Sequence, residues 1–165
     1  MGWFKLNTDG ASKGDKQLAG CGGLIRDCYG KWQCGFARRL GYCSAVKAEL
    51  WGVLCGLELA LQLNLQQLVV ECDSSTVVDL LNNTQEEDHG GSKLLSEIFL
   101  NLEKFSEVKI NHVYREGNMC ADSLANLSFE QEEVHVAFRS PTSTVISLLH
   151  KDEVGFSYPR NVVLN

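Results

Sequence analysis

Four acidic residues stand beside runs of apolar residues that a folded chain should bury. They are Asp9 in LNTDGAS, Glu49 in VKAELWG, Asp73 in VVECDSS and Asp122 in CADSLAN. Two of them end strand-like runs, and two lie near the starts of predicted helices. Carboxylates in such places repel one another and lose hydration, so folding alone gives little reason to keep them. A divalent cation supplies the reason, because Mg²⁺ prefers carboxylate oxygens and keeps several waters for a phosphate substrate.

The composition is that of one globular domain. The chain has 165 residues, of which 44% are hydrophobic and 22% charged, which is enough to build a core. No apolar run approaches the ~20 residues of a membrane span, and the N-terminus lacks the pattern of a secretory signal. We therefore expect an intracellular protein, nuclear or cytoplasmic, that is monomeric and does not contact a membrane. The seven cysteines include no C-x-x-C pair, so we interpret them as reduced and mostly buried, not as zinc ligands.

Hydrophobic periodicity predicts an α/β domain with the element order βββαβ, helices, βα. The first three strands are joined by short turns and should be antiparallel, whereas the later strands are separated by helices, as in parallel sheets. This order gives a five-stranded mixed sheet with helices on both faces. The predicted strands are residues 3–9, 19–27, 32–39, 68–72 and 108–113, and the predicted helices are 45–63 with Ser44 as N-cap, one ending at residue 81, 93–105 and 118–127.

The chain divides into a domain and a tail. Residues 1–128 carry all of the predicted sheet, and residues 129–165 differ from them in composition, with two prolines and two short apolar pieces. We expect this C-terminal tail to pack on the domain or to be partly extended, with a short helix at residues 145–150.

The carboxylates and their flanks resemble one family. The order Asp, Glu, Asp, Asp with the flanks TDGA, AEL, ECDS and AD-x-LA is similar to that of the ribonuclease H family. The strongest resemblance is to the plant ribonuclease H-like domains related to the ends of non-LTR retroelement polyproteins, and it covers roughly residues 3–128. TDGA alone is a weak signal, but the four pieces in order, with REGN ending four residues before Asp122, are specific. The resemblance implies a ribonuclease H-like fold.

The resemblance also implies an activity, namely Mg²⁺-dependent endonucleolytic hydrolysis of the RNA strand of RNA–DNA hybrids. Asp9, Glu49, Asp73 and Asp122 would be the catalytic residues and would hold two Mg²⁺ ions about 3.5–4 Å apart, with Mn²⁺ able to replace them. One ion activates the attacking water in such a site, and the other stabilises the leaving 3′ oxygen. Asp9 would be the shared ligand, the middle two carboxylates would complete one ion, and Asp122 would complete the other.

Further positions are implied to contact the nucleic acid. RNA is distinguished from DNA through its 2′-hydroxyls, and the family places such contacts in a Gly-rich turn after the first Asp. Arg115 and Asn118 fit the plant pattern R-x-x-N, which would contact phosphate or orient Asp122. The expected nucleic-acid-binding residues are Gly10, Ala11, Ser12, Lys13, Lys47, Ser74, Arg115 and Asn118.

The chain departs from its relatives at several substrate-contact positions. Residues 14–17 are Gly-Asp-Lys-Gln where many relatives have Gly-Asn-Pro-Gly, and residues 45–46 are apolar where bacterial-type enzymes have asparagines. The loop 114–121 lacks the histidine with which bacterial-type enzymes assist product release, and we interpret His112 in the preceding strand as structural. The segment 82–91 is acidic where some bacterial-type enzymes have a basic extension. With a net charge of −6, the chain is expected to bind nucleic acid weakly and in a salt-sensitive way.

Three hypotheses about function remain open, and each carboxylate taken singly also has a purely structural explanation. Asp9 and Asp73 could be turn residues, Glu49 a first-turn charge favoured by the helix dipole, and Asp122 a solvated helix position. The four together favour a nuclease. The changed contact positions favour a domesticated retroelement remnant that binds nucleic acid or a protein partner without cleaving. A structural or exonuclease-like member of the wider superfamily fits less well, because AEL and AD-x-LA are typical of the ribonuclease H branch.

Overall fold

The computed structural model describes residues 2–83 and 92–153. Most of the predicted acidic loop (84–91) and the end of the predicted tail (154–165) lie outside the described residues. The elements in chain order are β1 (Phe4–Lys13), β2 (Leu18–Arg26), β3 (Trp32–Tyr42), α1 (Ala45–Gln62), β4 (Gln67–Cys72), α2 (Ser75–Asn83), α3 (Lys93–Leu102), β5 (Glu107–His112), a 3₁₀ turn (Arg115–Gly117), α4 (Met119–Leu127), β6 (His135–Phe138) and α5 (Ser143–Glu153).

The strands form one mixed sheet in the order β5-β4-β1-β2-β3-β6. The first three strands are antiparallel neighbours, while β4 is parallel to both β1 and β5. The five predicted strands and the predicted order of elements are therefore confirmed. The sheet has one strand more than predicted, because residues 135–138 of the predicted tail pair antiparallel with β3. A strand of four residues with alternate exposure is too short to be recognised from periodicity.

Helices cover both faces of the sheet, as predicted. On one face, α1 packs into the main core through residues such as Leu54 and Leu57, which share a cluster with Leu6 of β1. On the other face, α4 and α5 form a smaller core with β2, in which Leu124 and Val145 meet Leu24. The predicted helix at 145–150 is thus present, extended to Ser143–Glu153. In the described part of the chain, no helix is both long and apolar enough to span a membrane.

Two glycines allow the helices to lie directly on the sheet. A Cβ atom at Gly10 of β1 would stand 2.4 Å from the backbone nitrogen of Glu49 in α1. A Cβ atom at Gly22 of β2 would stand 2.3 Å from the backbone nitrogen of Ala125 in α4. Real Cβ atoms do not approach backbone so closely, so any side chain at these positions would push a helix away from the sheet. Gly22 is also the register partner of Asp9, so both close contacts lie at one level of the sheet.

The first strand is longer than predicted. The Gly-rich turn predicted after Asp9 is shorter than expected, because Gly10 to Lys13 continue β1 and pair with β2 as far as Leu18. The reversal instead occupies residues 14–17, where Gly14 (φ 69°) and Gln17 (φ 54°) adopt left-handed backbone conformations. The composition GASK is typical of a turn, but pairing along a full-length neighbouring strand overrides this local preference.

We expect Gly22→Ala to lower the free energy of unfolding by about 1–3 kcal/mol, because the added methyl group forces α4 from the sheet. Gly2→Ala is the matched control, since its Cβ would meet only the Cys28 sulfur at an ordinary 3.7 Å. Urea denaturation of the three proteins measures both effects. Equal stability of Gly22→Ala and the parent chain would contradict the close packing of α4.

Candidate functional site

The register between β1 and β4 places two predicted catalytic residues side by side. These strands are parallel neighbours, and Thr8 is paired with Cys72. The next residue on each strand is an aspartate, Asp9 on β1 and Asp73 directly after β4. The carboxyl ends of parallel strands meet at one edge of a sheet, which is where α/β folds usually form their sites.

Glu49 reaches the same edge from α1. Ser44 caps this helix by accepting a hydrogen bond from the Lys47 backbone nitrogen at 3.3 Å, which confirms the predicted N-cap. The first turn contains no acidic residue, so the alternative of a first-turn charge held by the helix dipole does not apply to Glu49. Glu49 lies in the second turn of α1, and this turn packs directly on β1 because Gly10 has no Cβ. The Cys72 thiol then donates a hydrogen bond to Glu49 Oε2 at 3.5 Å.

Asp122 arrives from the first turn of α4, and the residue before this helix ties it to β1. The Asn118 side-chain nitrogen donates to the backbone oxygen of Thr8 at 2.9 Å, and its Oδ1 accepts from Asn7 Nδ2 at 3.2 Å. Asn118 is only 1% exposed, and its geometry fits the predicted role of orienting Asp122 better than a direct contact with nucleic acid, which stays a prediction. The sequence did not show this, because burial of an asparagine at a helix start depends on the strand that it contacts.

All four predicted catalytic carboxylates line one open cleft. Its volume is about 310 Å³, and Gly10, Ser74 and Arg115 line it with them. Arg115 carries the only positive charge among the described lining residues. Its guanidinium lies 4.0 Å from Asp122 Oδ1, with the Arg115 side chain 79% exposed. This contact is too long and too open to neutralise the cluster.

Burial and crowding raise the pKa of three of the four carboxylates, namely Asp9, Glu49 and Asp73. Burial, followed by repulsion from Glu49, Asp73 and Asp122, raises the pKa of Asp9 to about 10. Burial and repulsion from Asp73 raise the pKa of Glu49 to about 7. Burial also raises the pKa of Asp73, although the Arg115 charge offsets part of this effect. Buried like charges of this kind are typical of sites that act on a substrate or a metal.

The donor set fits a divalent cation. Carboxylate oxygens from four separate elements converge, and ligand atoms of Glu49 and Asp73 lie within 4.8 Å of each other. Hard oxygen donors with net negative charge are the ligands that Mg²⁺ takes in proteins. Burial and the neighbouring acids raise the pKa of Asp9, and the positive charge of a bound cation would lower it.

The remaining predicted contact residues differ in position and exposure, and among them Ser74 lines the cleft. Ser74 lines the cleft and caps α2 by accepting from the Val77 backbone nitrogen at 3.4 Å. Ser12 is exposed on β1, and Ala11 is half-buried there. Lys47 is exposed in the first turn of α1.

Lys13 and His112 are engaged with their own surroundings. The Lys13 ammonium lies over the ring of Phe129, 4.4 Å from its centroid. The His112 ring nitrogen Nε2 lies 3.2 Å from the backbone oxygen of Asp73, and its ring meets Tyr114 edge-on at 5.4 Å. These contacts fit the interpretation of His112 as a residue that supports the loop bearing Asp73.

Asn7 supports the site through Asn118 and was not among the predicted residues. It is 1% exposed and accepts a hydrogen bond from Arg26 at 2.8 Å. It also donates to Glu71 at 3.0 Å and to Asn118. A polar residue at an inward position of an apolar strand, two residues before the first aspartate, is the signal that could have identified it.

The sequence profile of the Reverse transcriptase-like family matches residues 7–128, a span that contains all four carboxylates of the cleft. The chain belongs to this family of ribonuclease H-like domains. A member from Arabidopsis thaliana, "Putative ribonuclease H protein At1g65750", is 42% identical over 164 residues, which is 99% of this chain. The chain spans 26% of the length of that relative.

Solved structures share the fold of this ribonuclease H-like domain. Ribonuclease H1 of the halophilic archaeon Halobacterium salinarum NRC-1 superposes with a TM-score of 0.71 at 25% identity, over 78% of this chain and 98% of that one. LC11-RNase H1, solved in complex with an RNA/DNA hybrid, superposes with a TM-score of 0.66 at 22% identity, over 74% and 94% of the two chains. The expected ribonuclease H-like fold is therefore confirmed.

We expect the metal-free domain to lose stability as pH rises, because Asp9 is protonated when folded but ionised when unfolded. With the pKa raised from 3.8 to about 10, its contribution is complete below about pH 4 and declines as pH rises toward 10. Asp9→Asn, which needs no proton, should raise the free energy of unfolding in EDTA at pH 8 by about 0.5–2 kcal/mol.

Thermal unfolding between pH 5 and 9, with and without Mg²⁺, measures this effect. Mg²⁺ should stabilise the parent domain more at pH 8 than at pH 6, since the cation replaces protons, and should stabilise Asp9→Asn far less. Asp15→Asn, in the exposed β1–β2 turn, is the control and should follow the parent. A parent domain whose stability in EDTA parallels that of Asp9→Asn across this range would refute the assigned protonation of Asp9.

Proposed function

We propose that this ribonuclease H-like domain is a Mg²⁺-dependent endonuclease that hydrolyses the RNA strand of RNA–DNA hybrids. The observation that carries the proposal is the convergence of four carboxylates from β1, α1, β4 and α4 in one open cleft. The shared fold with ribonuclease H1 and the hybrid bound by LC11-RNase H1 support the choice of substrate.

The chain's own residues would hold two Mg²⁺ ions. Asp9 is the most buried of the four carboxylates and is central to their mutual repulsion, which suits the shared ligand. Glu49 and Asp73 would complete one site, and Asp122 the other. When bound, the two ions lower the pKa of an attacking water and stabilise the charge on the leaving 3′ oxygen, yielding 3′-hydroxyl and 5′-phosphate ends. The strands fix Asp9 and Asp73 by register, so little reorganisation is needed as charge develops.

Positioning of Asp122 depends on Asn118. Both polar atoms of the Asn118 side chain form hydrogen bonds with β1, one with Thr8 and one with Asn7. These bonds would fix the start of α4 relative to Asp9. A helix bearing a metal ligand in its first turn must be held in this way, because small displacements of a ligand cost metal affinity and rate.

The edge of β1 beyond Asp9 is suited to contacting the hybrid backbone. Pairing with β4 ends at Thr8, whereas pairing with β2 continues to Lys13. In the described part of the chain, the β4-facing edge of residues 10–13 has no strand partner. Backbone groups of Gly10 and Ala11, with the exposed hydroxyl of Ser12, would there meet the 2′-hydroxyls of RNA. Lys47 and Arg115, both exposed, would contact phosphates.

A second candidate function is binding without cleavage, as in a domesticated retroelement remnant. It is favoured by the scarcity of positive charge, since Arg115 alone is basic among the described lining residues and the chain carries a net charge of −6. Affinity for nucleic acid depends mainly on neutralised phosphates. A cleft that holds metal but retains the hybrid too briefly would not turn over.

The decisive experiment is cleavage of a labelled RNA strand in an RNA–DNA hybrid at low salt, first with Mg²⁺ and then with Mn²⁺. We expect cleavage by the parent domain and a loss of roughly 10³-fold or more in Asp73→Asn, because a lost metal ligand removes several kcal/mol of transition-state stabilisation. Asp79→Asn, an exposed aspartate of α2, is the control and should retain activity. Hybrid binding without any cleavage by the parent domain would sink the nuclease proposal and support the remnant.

Arg115→Ala tests the proposed phosphate contact. We expect KM for the hybrid to rise about 3–10-fold with a smaller change in kcat. The slope of log affinity against log salt should become shallower by about 1, the value for one lost phosphate contact. Arg139→Ala, an exposed arginine after β6, should change neither quantity. A fall in kcat alone would instead assign Arg115 to the orientation of Asp122.

A further inference from the structure

One cysteine lies directly beneath the carboxylate cleft. Cys72, the last residue of β4, is fully buried on the face covered by α1. Its thiol is 3.5 Å from Glu49 Oε2. The Cys72 sulfur and carboxylate oxygens of Glu49 and Asp73 all lie within 4.8 Å of one another. The three side chains thus form a mixed set of one sulfur and two carboxylates.

The spacing of this set suits a tetrahedral ion that binds sulfur. With Zn–S of about 2.3 Å and Zn–O of about 2.0–2.2 Å, tetrahedral angles separate a sulfur and an oxygen ligand by about 3.5–3.7 Å. The distance of 3.5 Å between Cys72 Sγ and Glu49 Oε2 agrees with that separation. Little movement is therefore needed to replace the thiol–carboxylate hydrogen bond by two bonds to a shared cation.

A second, independent observation concerns Thr8. It is fully buried, and its hydroxyl oxygen has no hydrogen-bond partner. Thr8 is the register partner of Cys72 in the parallel pair, so both side chains leave the sheet on the same face and stand next to each other. The Cys72 sulfur accepts from the Ser74 backbone nitrogen at 3.4 Å and donates to Glu49, whereas the Thr8 hydroxyl beside it stays without a partner.

We propose that Cys72, Glu49 and Asp73 form a site for a thiophilic divalent cation such as Zn²⁺, with the Thr8 hydroxyl supporting the Cys72 sulfur. Binding releases the thiol proton to solvent, and the freed thiolate accepts the Thr8 hydrogen bond. Of these three side chains, Mg²⁺, a hard cation, takes only the carboxylate oxygens of Glu49 and Asp73 and leaves the thiol protonated. The two metals would therefore use Glu49 and Asp73 in different ways, and a thiophilic ion would block the Mg²⁺ site.

Cobalt binding tests the site without reference to activity. Co²⁺ is added to the metal-free domain, and near-ultraviolet absorption from a thiolate–cobalt bond is recorded. We expect a stoichiometric band in the parent and in the control Cys28→Ser, whose cysteine is exposed, and no band in Cys72→Ser or Cys72→Ala. Thr8→Val should weaken Co²⁺ binding by about 10-fold, as for other groups that support a ligand. Absence of the band in the parent, or its persistence in both folded Cys72 variants, would overturn the proposal.

A competition arm rests on the proposed nuclease function. Zn²⁺ is titrated into Mg²⁺-supported hydrolysis, and each variant is compared with its own rate in Mg²⁺ alone. The Zn²⁺ concentration giving half-inhibition should rise at least 10-fold in Cys72→Ser but not in Cys28→Ser. Equal sensitivity of both variants would overturn the idea that this site blocks Mg²⁺. If the domain does not cleave, the cobalt band still decides the metal site, so the two proposals fail separately.

Discussion

The parallel pairing of β1 with β4 is the constraint on which the rest of the site depends. Because Thr8 is opposite Cys72, the two aspartates that follow must stand together at the edge of the sheet. The helices then dock at the same level through glycine contacts, α1 against Gly10 and α4 close to Gly22. Each helix delivers one more carboxylate. A shift of one residue in this register would turn every side chain of β4 to the opposite face and separate the cluster.

This arrangement places electrostatic repulsion at paired strands in the centre of the sheet. Asp9 is buried among three other acids, and its raised pKa measures how poorly the fold tolerates its charge. Close to it, the buried Asn7 links Arg26, Glu71 and Asn118 in one hydrogen-bonded network. The domain thus combines a hydrogen-bonded frame with a cleft in which negative charge exceeds positive charge, which is the expected compromise between stability and function.

Few of the predicted contact residues around the cleft are placed to touch nucleic acid. The predicted contact residues on β1 belong to a paired strand, Asn118 is buried, and Lys13 lies over the ring of Phe129. What remains accessible is the edge of β1 opposite β2, where residues 10–13 have no pairing with β4, and a few exposed polar and basic groups. Such a surface suits brief, salt-sensitive contacts with a phosphate backbone, while the proposed chemistry would depend on the carboxylates.

The sequence by itself determined the order of the elements, the mixed sheet with helices on both faces, and the four carboxylates with their flanks. These depend on local periodicity and on motifs a few residues long. Tertiary structure alone decided the length of β1, the sixth strand, the burial of Asn118, and the neighbourhood of Cys72 and Thr8. Each of these is set by a partner far along the chain: Asn118 contacts Thr8 across 110 positions, and Cys72 meets Glu49 across 23. Register and helix docking are non-local, so the contacts they create cannot be deduced from either segment alone.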